Sequence, residues 1–136
     1  MDITEIILDQ HDQQRRLFAQ LEEWPKDDIE GLSALWRRLA IFLETHAEGE
    51  ERFFYPRLLT KGTGAADADD GTVDGEVGDA IKDHNKIRDA VRRADAAKVG
   101  SSEWWQTVTD ADVANSDHMG EEERQDLRDF RANADF

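Results

Sequence analysis

Four histidines, His11, His46, His84 and His118, are spread along the chain, and two of them open an H-x-x-x-E step: His46 with Glu50 and His118 with Glu122. Residues four apart share a helix face. Each step therefore brings an imidazole nitrogen and a carboxylate oxygen to one point. Those two ligand types suit a transition-metal ion, and facing helices of a bundle can hold a dinuclear centre with them. The chain has no cysteine, which excludes disulfides, zinc–thiolate sites and iron–sulfur clusters and leaves any metal to nitrogen and oxygen ligands.

Such a constellation needs helices to position it, and the sequence supplies them. Long stretches rich in Leu, Ala, Glu and Arg dominate the 136 residues, with only two prolines. A first helix is expected from about Ile3 to Glu23, with Asp2 as N-cap and Glu5 completing a capping box. Ile3, Ile7, His11, Gln14, Phe18 and Leu21 follow the spacing of one face. Trp24-Pro25 ends it, because a residue before proline avoids the helical region. A second helix is expected from after Asp27 or Asp28 to about Leu59, with Leu32, Leu35, Leu39, Phe42, His46, Glu50 and Phe53 inward and Pro56 bending its last turn.

Lys61 to about Thr72 reads as a glycine- and aspartate-rich loop. Asp67, Asp69, Asp70 and Asp74 do not meet the spacing of a calcium loop, which favours a solvated linker. A third helix is expected from Val73 or Asp74 to Ala97, burying Val77, Ile81, His84, Ile87, Val91 and Ala94. Val99-Gly100-Ser101-Ser102 is a break with a serine N-cap. A fourth helix then runs to about Ala132, with Trp104, Val108, Ala111, Asn115, His118 and Glu122 on one face. Short connections between long helices imply an all-α, up-down-up-down antiparallel four-helix bundle, taken as a single domain over residues 1–136. Measured from the loops, the four histidines fall at levels differing by about 3 to 8 Å at 1.5 Å per residue, so one layer can hold them all.

Four inward imidazoles and two inward carboxylates in one layer, with no lysine among them, would be costly to bury unpaired. Two cations resolve both costs, and a metal site is the reading preferred over a polar core network.

At these residues the chain resembles the hemerythrin HHE cation-binding family. The likeness is carried by Leu8-Asp9-Gln10-His11-Asp12, His46-Ala47-Glu48-Gly49-Glu50-Glu51-Arg52-Phe53-Phe54-Tyr55-Pro56, Asp83-His84-Asn85 and Asp117-His118-Met119-Gly120-Glu121-Glu122-Glu123. The resemblance implies a non-haem centre of two iron ions, or manganese, with an oxo, hydroxo or water bridge. His11 and His46 would bind one ion, His84 and His118 the other, and Glu50 and Glu122 would lie between them. Oxygen carriers of the family have H-x-x-x-H on the third helix, where this chain has Arg88. They also use H-x-x-x-x-D on the fourth, a spacing at which Glu123 stands as an alternative to Glu122. Some relatives use a tyrosinate near Tyr55. In a straight helix, however, Tyr55 points about 160° from the His46–Glu50 direction, so only a distortion at Pro56 would bring it in, and the alternative is a core tyrosine. Arg88, a fixed cation, is expected to turn away from the metals to an acceptor such as Asp112, Asn115 or Asp12. Phe53, Phe54, Trp36, Trp104 and Trp105 are expected to pack around the site.

The functional expectation is a protein that binds or reacts with O2 or H2O2, with catalase- or oxidase-like chemistry left open. The alternative is a metal-dependent sensor or interaction module. The formal net charge of −15 argues against nucleic acid and anionic membranes as partners. No apolar run approaches the roughly 18 residues of a membrane span, and the first residues lack the pattern of a secretory signal. A soluble cytoplasmic protein, monomeric or weakly homodimeric, is expected. Arg exceeds Lys and Asp exceeds Glu, a bias that fits either a high-salt cytoplasm or GC-rich coding.

Overall fold

The computed structural model describes residues 2–61 and 72–133. The helices are α1 (Ile3–Glu23), α2 (Ile29–Gly49), α3 (Tyr55–Lys61), α4 (Val73–Ala96), α5 (Ser102–Arg124) and α6 (Asp126–Asn133), with a π-helical turn, Glu50–Phe54, joining α2 to α3. They form an all-α four-helix bundle whose four rods are α1, α2 with α3, α4, and α5 with α6. Among the described residues there is no strand, and no helix is long and apolar enough to cross a membrane. The expected aspartate-rich loop falls at residues 62–71, so Asp67, Asp69 and Asp70 lie outside the described residues; Asp74 sits in the first turn of α4.

Side-chain pairs show that neighbouring rods run antiparallel. Between α1 and α5, His11 meets Glu122 while Gln14 meets Asn115. Between α2 and α4, Trp36 meets Asp95 while Glu44 meets Arg88. Between α4 and α5, Asp83 meets His118 while Arg93 meets Asp110. In each case the partner number falls as the other rises.

The ends are set locally. Asp2 accepts from the backbone of Thr4 and Glu5 while Glu5 reaches back to Asp2, the expected capping box. Asp28, Thr72 and Ser101 cap α2, α4 and α5. The turn before α5 depends on Gly100 at φ 84, where a Cβ would also meet the Ile29 side chain.

Two apolar clusters fill the bundle. One gathers Phe18, Leu21, Leu32, Trp36, Leu39, Trp104 and Ala111 at the end of the two short loops. The other gathers Ile7, Phe54, Tyr55, Leu58, Val77, Leu127 and Phe130. Trp36 and Trp104 therefore belong to the loop-end core.

The second rod is expected from sequence as one helix to about Leu59 with a bend at Pro56; the distortion is instead a π-helical turn that begins at Glu50. The Tyr55 N–H bonds to the Glu50 carbonyl five residues back, so this turn is wider than an α turn. Pro56 explains why: it has no N–H to donate, and its ring crowds the carbonyl four residues earlier, which a wider turn relieves. The extra residue shifts every following side chain round the axis. Phe53, expected inward, is 60% exposed, whereas Phe54 and Tyr55 are buried. Two smaller corrections concern α4 and α5. Ile81 lies at the surface while Glu76 is buried. The fourth rod is not one helix to Ala132; it breaks at Gln125, and α6 continues it to Asn133, swinging Leu127 and Phe130 onto Phe54.

Candidate metal centre

A polar layer is buried between the two apolar clusters. α1 brings His11, α2 brings His46 and α4 brings His84. α5 brings His118 and Glu122, and the π turn opens with Glu50. All six are buried, the most open of them, His46, at only 7% exposure. The layer forms because each residue lies in register with the apolar face of its helix. His11 sits between Ile7 and Phe18, and His84 between Val77 and Ile87.

The six converge as two sets. Potential ligand atoms of His11, His46, Glu50 and Glu122 all lie within 4.8 Å of one another, and so do those of His84, His118, Glu50 and Glu122. Glu50 and Glu122 belong to both. Glu122 Oε1 is 3.0 Å from His11 Nε2, and its Oε2 is 3.3 Å from His118 Nε2. Glu50 Oε1 is 3.2 Å from His46 Nε2 and 3.0 Å from His84 Nε2.

Four residues outside this layer fix the rings. His11 Nδ1 meets Glu123 at 2.7 Å, His46 Nδ1 meets Gln10 at 2.6 Å, His84 Nδ1 meets Glu51 at 2.7 Å, and His118 Nδ1 meets Asp83 at 3.3 Å. Each of these partners comes from a neighbouring rod, so the set runs once round the bundle. Carboxylate and amide oxygens only accept. Each Nδ1 therefore carries a hydrogen, and Nε2 is the nitrogen that each ring turns to the centre. Sequence reasoning did not see this ring. Its signal was the neighbour of each site residue: Gln10 before His11, Glu51 after Glu50, Asp83 before His84, Glu123 after Glu122.

This arrangement fits a cation. Nε2 of His46, Nε2 of His118 and Oε2 of Glu50 are buried and lack a hydrogen-bond partner among the described residues. Buried polar atoms rarely stand so. Electrostatics agree. Burial tends to lower the pKa of His11 and His118, but Glu122 outweighs it and raises both, His118 strongly. Burial tends to raise Glu50, but His46 and the other neighbours hold it well below the usual carboxylate range. Protons on imidazole supply the positive charge that buried carboxylates demand, and a metal ion can supply the same charge.

Tyr55 joins the layer because of the π turn. Its hydroxyl donates to Glu122 at 2.7 Å and lies 3.3 Å from His84 Nε2. Burial, then the charges of Glu122 and Glu50, pushes its pKa well above the ordinary value, which keeps the phenol protonated here. The distortion required to bring Tyr55 inward is present, but it lies at Glu50–Phe54, just before Pro56. Glu123 faces the outer nitrogen of His11 and pairs with Arg15 at 2.8 Å. Arg88 turns to acceptors, as expected, but not to Asp112, Asn115 or Asp12. Its guanidinium bridges Glu44 and Glu51 at about 3 Å, because these carboxylates from α2 and the π turn face α4.

Residues 2–128 match the family model described as the hemerythrin HHE cation binding domain. The chain belongs to that family. A hemerythrin HHE domain is a cation-binding domain, and the buried histidine–glutamate cluster is suited to that role. Comparison with curated proteins and with solved structures gave no match.

Proposed function

We propose that the layer holds two iron ions and that the centre binds or reacts with O2 or H2O2. His11 and His46 would hold one ion, His84 and His118 the other, and Glu50 and Glu122 would reach both. The carrying observation is the ring of Nδ1 partners, which leaves four Nε2 atoms facing two shared carboxylates. A polar core network would have no need for unpartnered Nε2 atoms. Two imidazoles with two carboxylate oxygens per ion is a donor set that suits iron and gives no thiolate preference for other metals.

When bound, the iron pair supplies the redox equivalents for oxygen or peroxide chemistry. The protein's own groups do the rest. Tyr55 stands among the donors of the His84–His118 set and is proposed as a further ligand to that ion. In the protonated form its O–H donates to Glu122 Oε2 across an O···O distance of 2.7 Å. Arg88, tied to Glu44 and Glu51, adds no ligand where carriers have a histidine, so this centre is assigned to reaction rather than reversible carriage. The apolar clusters close the layer on two sides.

The test is hydrogen peroxide consumption by iron-loaded protein against Glu122→Ala. Turnover in the first, reduced at least tenfold in the second, is expected. Iron-loaded protein that leaves peroxide untouched and forms a long-lived oxygenated species releasing O2 under vacuum would overturn the reactive reading in favour of a carrier.

A further inference from the structure

A cavity of about 410 Å³ opens between α2 and α4 and ends on His46, His84 and His118. Its walls are apolar, with Ala40 and Ala47 of α2 facing Ile87 and Val91 of α4. The space has a sequence origin. Ala40 and Ala47 stand seven residues apart and so share one face, and two small side chains there leave the gap between helices unfilled. Hydrogen peroxide or O2 needs little more room than a water molecule, about 30 Å³ of liquid volume. The cavity is roughly ten times larger and falls within the range of about 300–1,000 Å³ usual for small-molecule sites.

Its charges are balanced. Two cations, Arg88 and Arg92, and two carboxylates, Glu44 and Asp95, line it. Arg88 Nε pairs with Glu44 at 3.0 Å, and Asp95 lies 3.4 Å from the Trp36 indole nitrogen. Summed over these four groups the rim is neutral, so a charged ligand would give up its hydration there without meeting a net opposite charge. An apolar body would gain by leaving water for the alanine, isoleucine and valine walls.

We infer that this cavity is a binding site for a neutral, mostly apolar small molecule, its body between the α2 and α4 walls and any polar end at the Arg88–Glu44 rim. The occupancy stands on the cavity alone; the statement that the ligand lies beside the metals rests on the function proposed above. Iron-loaded protein is titrated with 1-octanol, octanoate and octylammonium, probes matched in length and differing in head group, and binding is followed by ligand-detected NMR. Ala40→Leu and Val91→Phe fill the cavity from opposite walls, so if one fails to fold the other still answers. Saturable one-to-one binding of 1-octanol is expected, at least tenfold weaker for both ions and at least tenfold weaker in the filled variants, with iron content unchanged. No saturable octanol binding, equal or tighter binding of either ion, or undiminished binding in a folded filled variant overturns the inference. Octanol binding by protein that takes up no iron would leave this site standing and sink the metal centre.

Discussion

Gln10, Glu51, Asp83 and Glu123 do for the four histidines what a ligand alone cannot: each fixes a tautomer and a ring orientation through Nδ1. The two shared carboxylates face the other way, into the layer. The two groups of acids should therefore respond differently to removal. Glu50→Ala and Glu122→Ala are expected to lose iron from both sets. Glu51→Ala and Glu123→Ala should keep the full complement with affinity lowered about 10- to 100-fold, the usual cost of losing an outer partner. Competition with a graded series of chelators measures both. If Glu123→Ala strips iron while Glu122→Ala does not, Glu123 is the ligand and its bond to His11 Nδ1 has been misread. The six inward residues were legible in the sequence, His46, Glu50, His118 and Glu122 from their H-x-x-x-E spacing and His11 and His84 from their register with the apolar face of their helices. The outer four were not legible, since a charged residue beside a histidine looks like any solvated position until the neighbouring rod is placed.

At the scale of the element, the π turn decides what the second rod contributes. It moves Phe53 to the surface and carries Phe54, Tyr55 and Leu58 inward. Phe54→Ala is expected to cost about 3–5 kcal/mol, as for a buried phenylalanine, whereas Phe53→Ser should lie within about 0.5 kcal/mol of wild type. Urea unfolding of the two variants checks this. A straight helix requires the reverse order, so a larger loss in Phe53→Ser would refute the wide turn. Helix starts were readable from Asp2, from the Asp27–Asp28 pair and from the Ser101–Ser102 pair, because short polar side chains reach backbone N–H groups locally, whereas Thr72, the cap of α4, read only as the end of a loop. The wide turn was not readable, because a proline signals only that the ladder is interrupted; whether a kink or an extra residue results depends on what the bundle can bury. The break at Gln125 was hidden for the same reason, as Leu127 and Phe130 continue a helical spacing whether or not the axis bends.

For the molecule as a whole, burial of acid is the recurring tension in a chain of net charge −15. Beyond the polar layer, Glu76 is buried beside Asp129. Burial, then Asp129, raises its pKa from 4.5 to about 8. A carboxyl raised in the folded state binds its proton more tightly there than in the unfolded chain. Its stabilising contribution is thus full below pH 4.5 and is lost as pH rises to about 8. The loss is up to about 1.4 kcal/mol per pH unit for one proton. Urea unfolding at pH 5 and pH 8 should show wild type losing more stability over that interval than Glu76→Gln, which cannot ionise; equal losses would contradict the buried acid. The proposed function depends on what fills the layer between the two apolar clusters, and the direct measurement is iron per chain. Protein produced under iron-replete conditions and purified without added metal is expected to carry about two irons per chain, falling below one in Glu50→Ala. One metal or fewer per chain in the wild type, or zinc alone, would contradict a dinuclear iron centre.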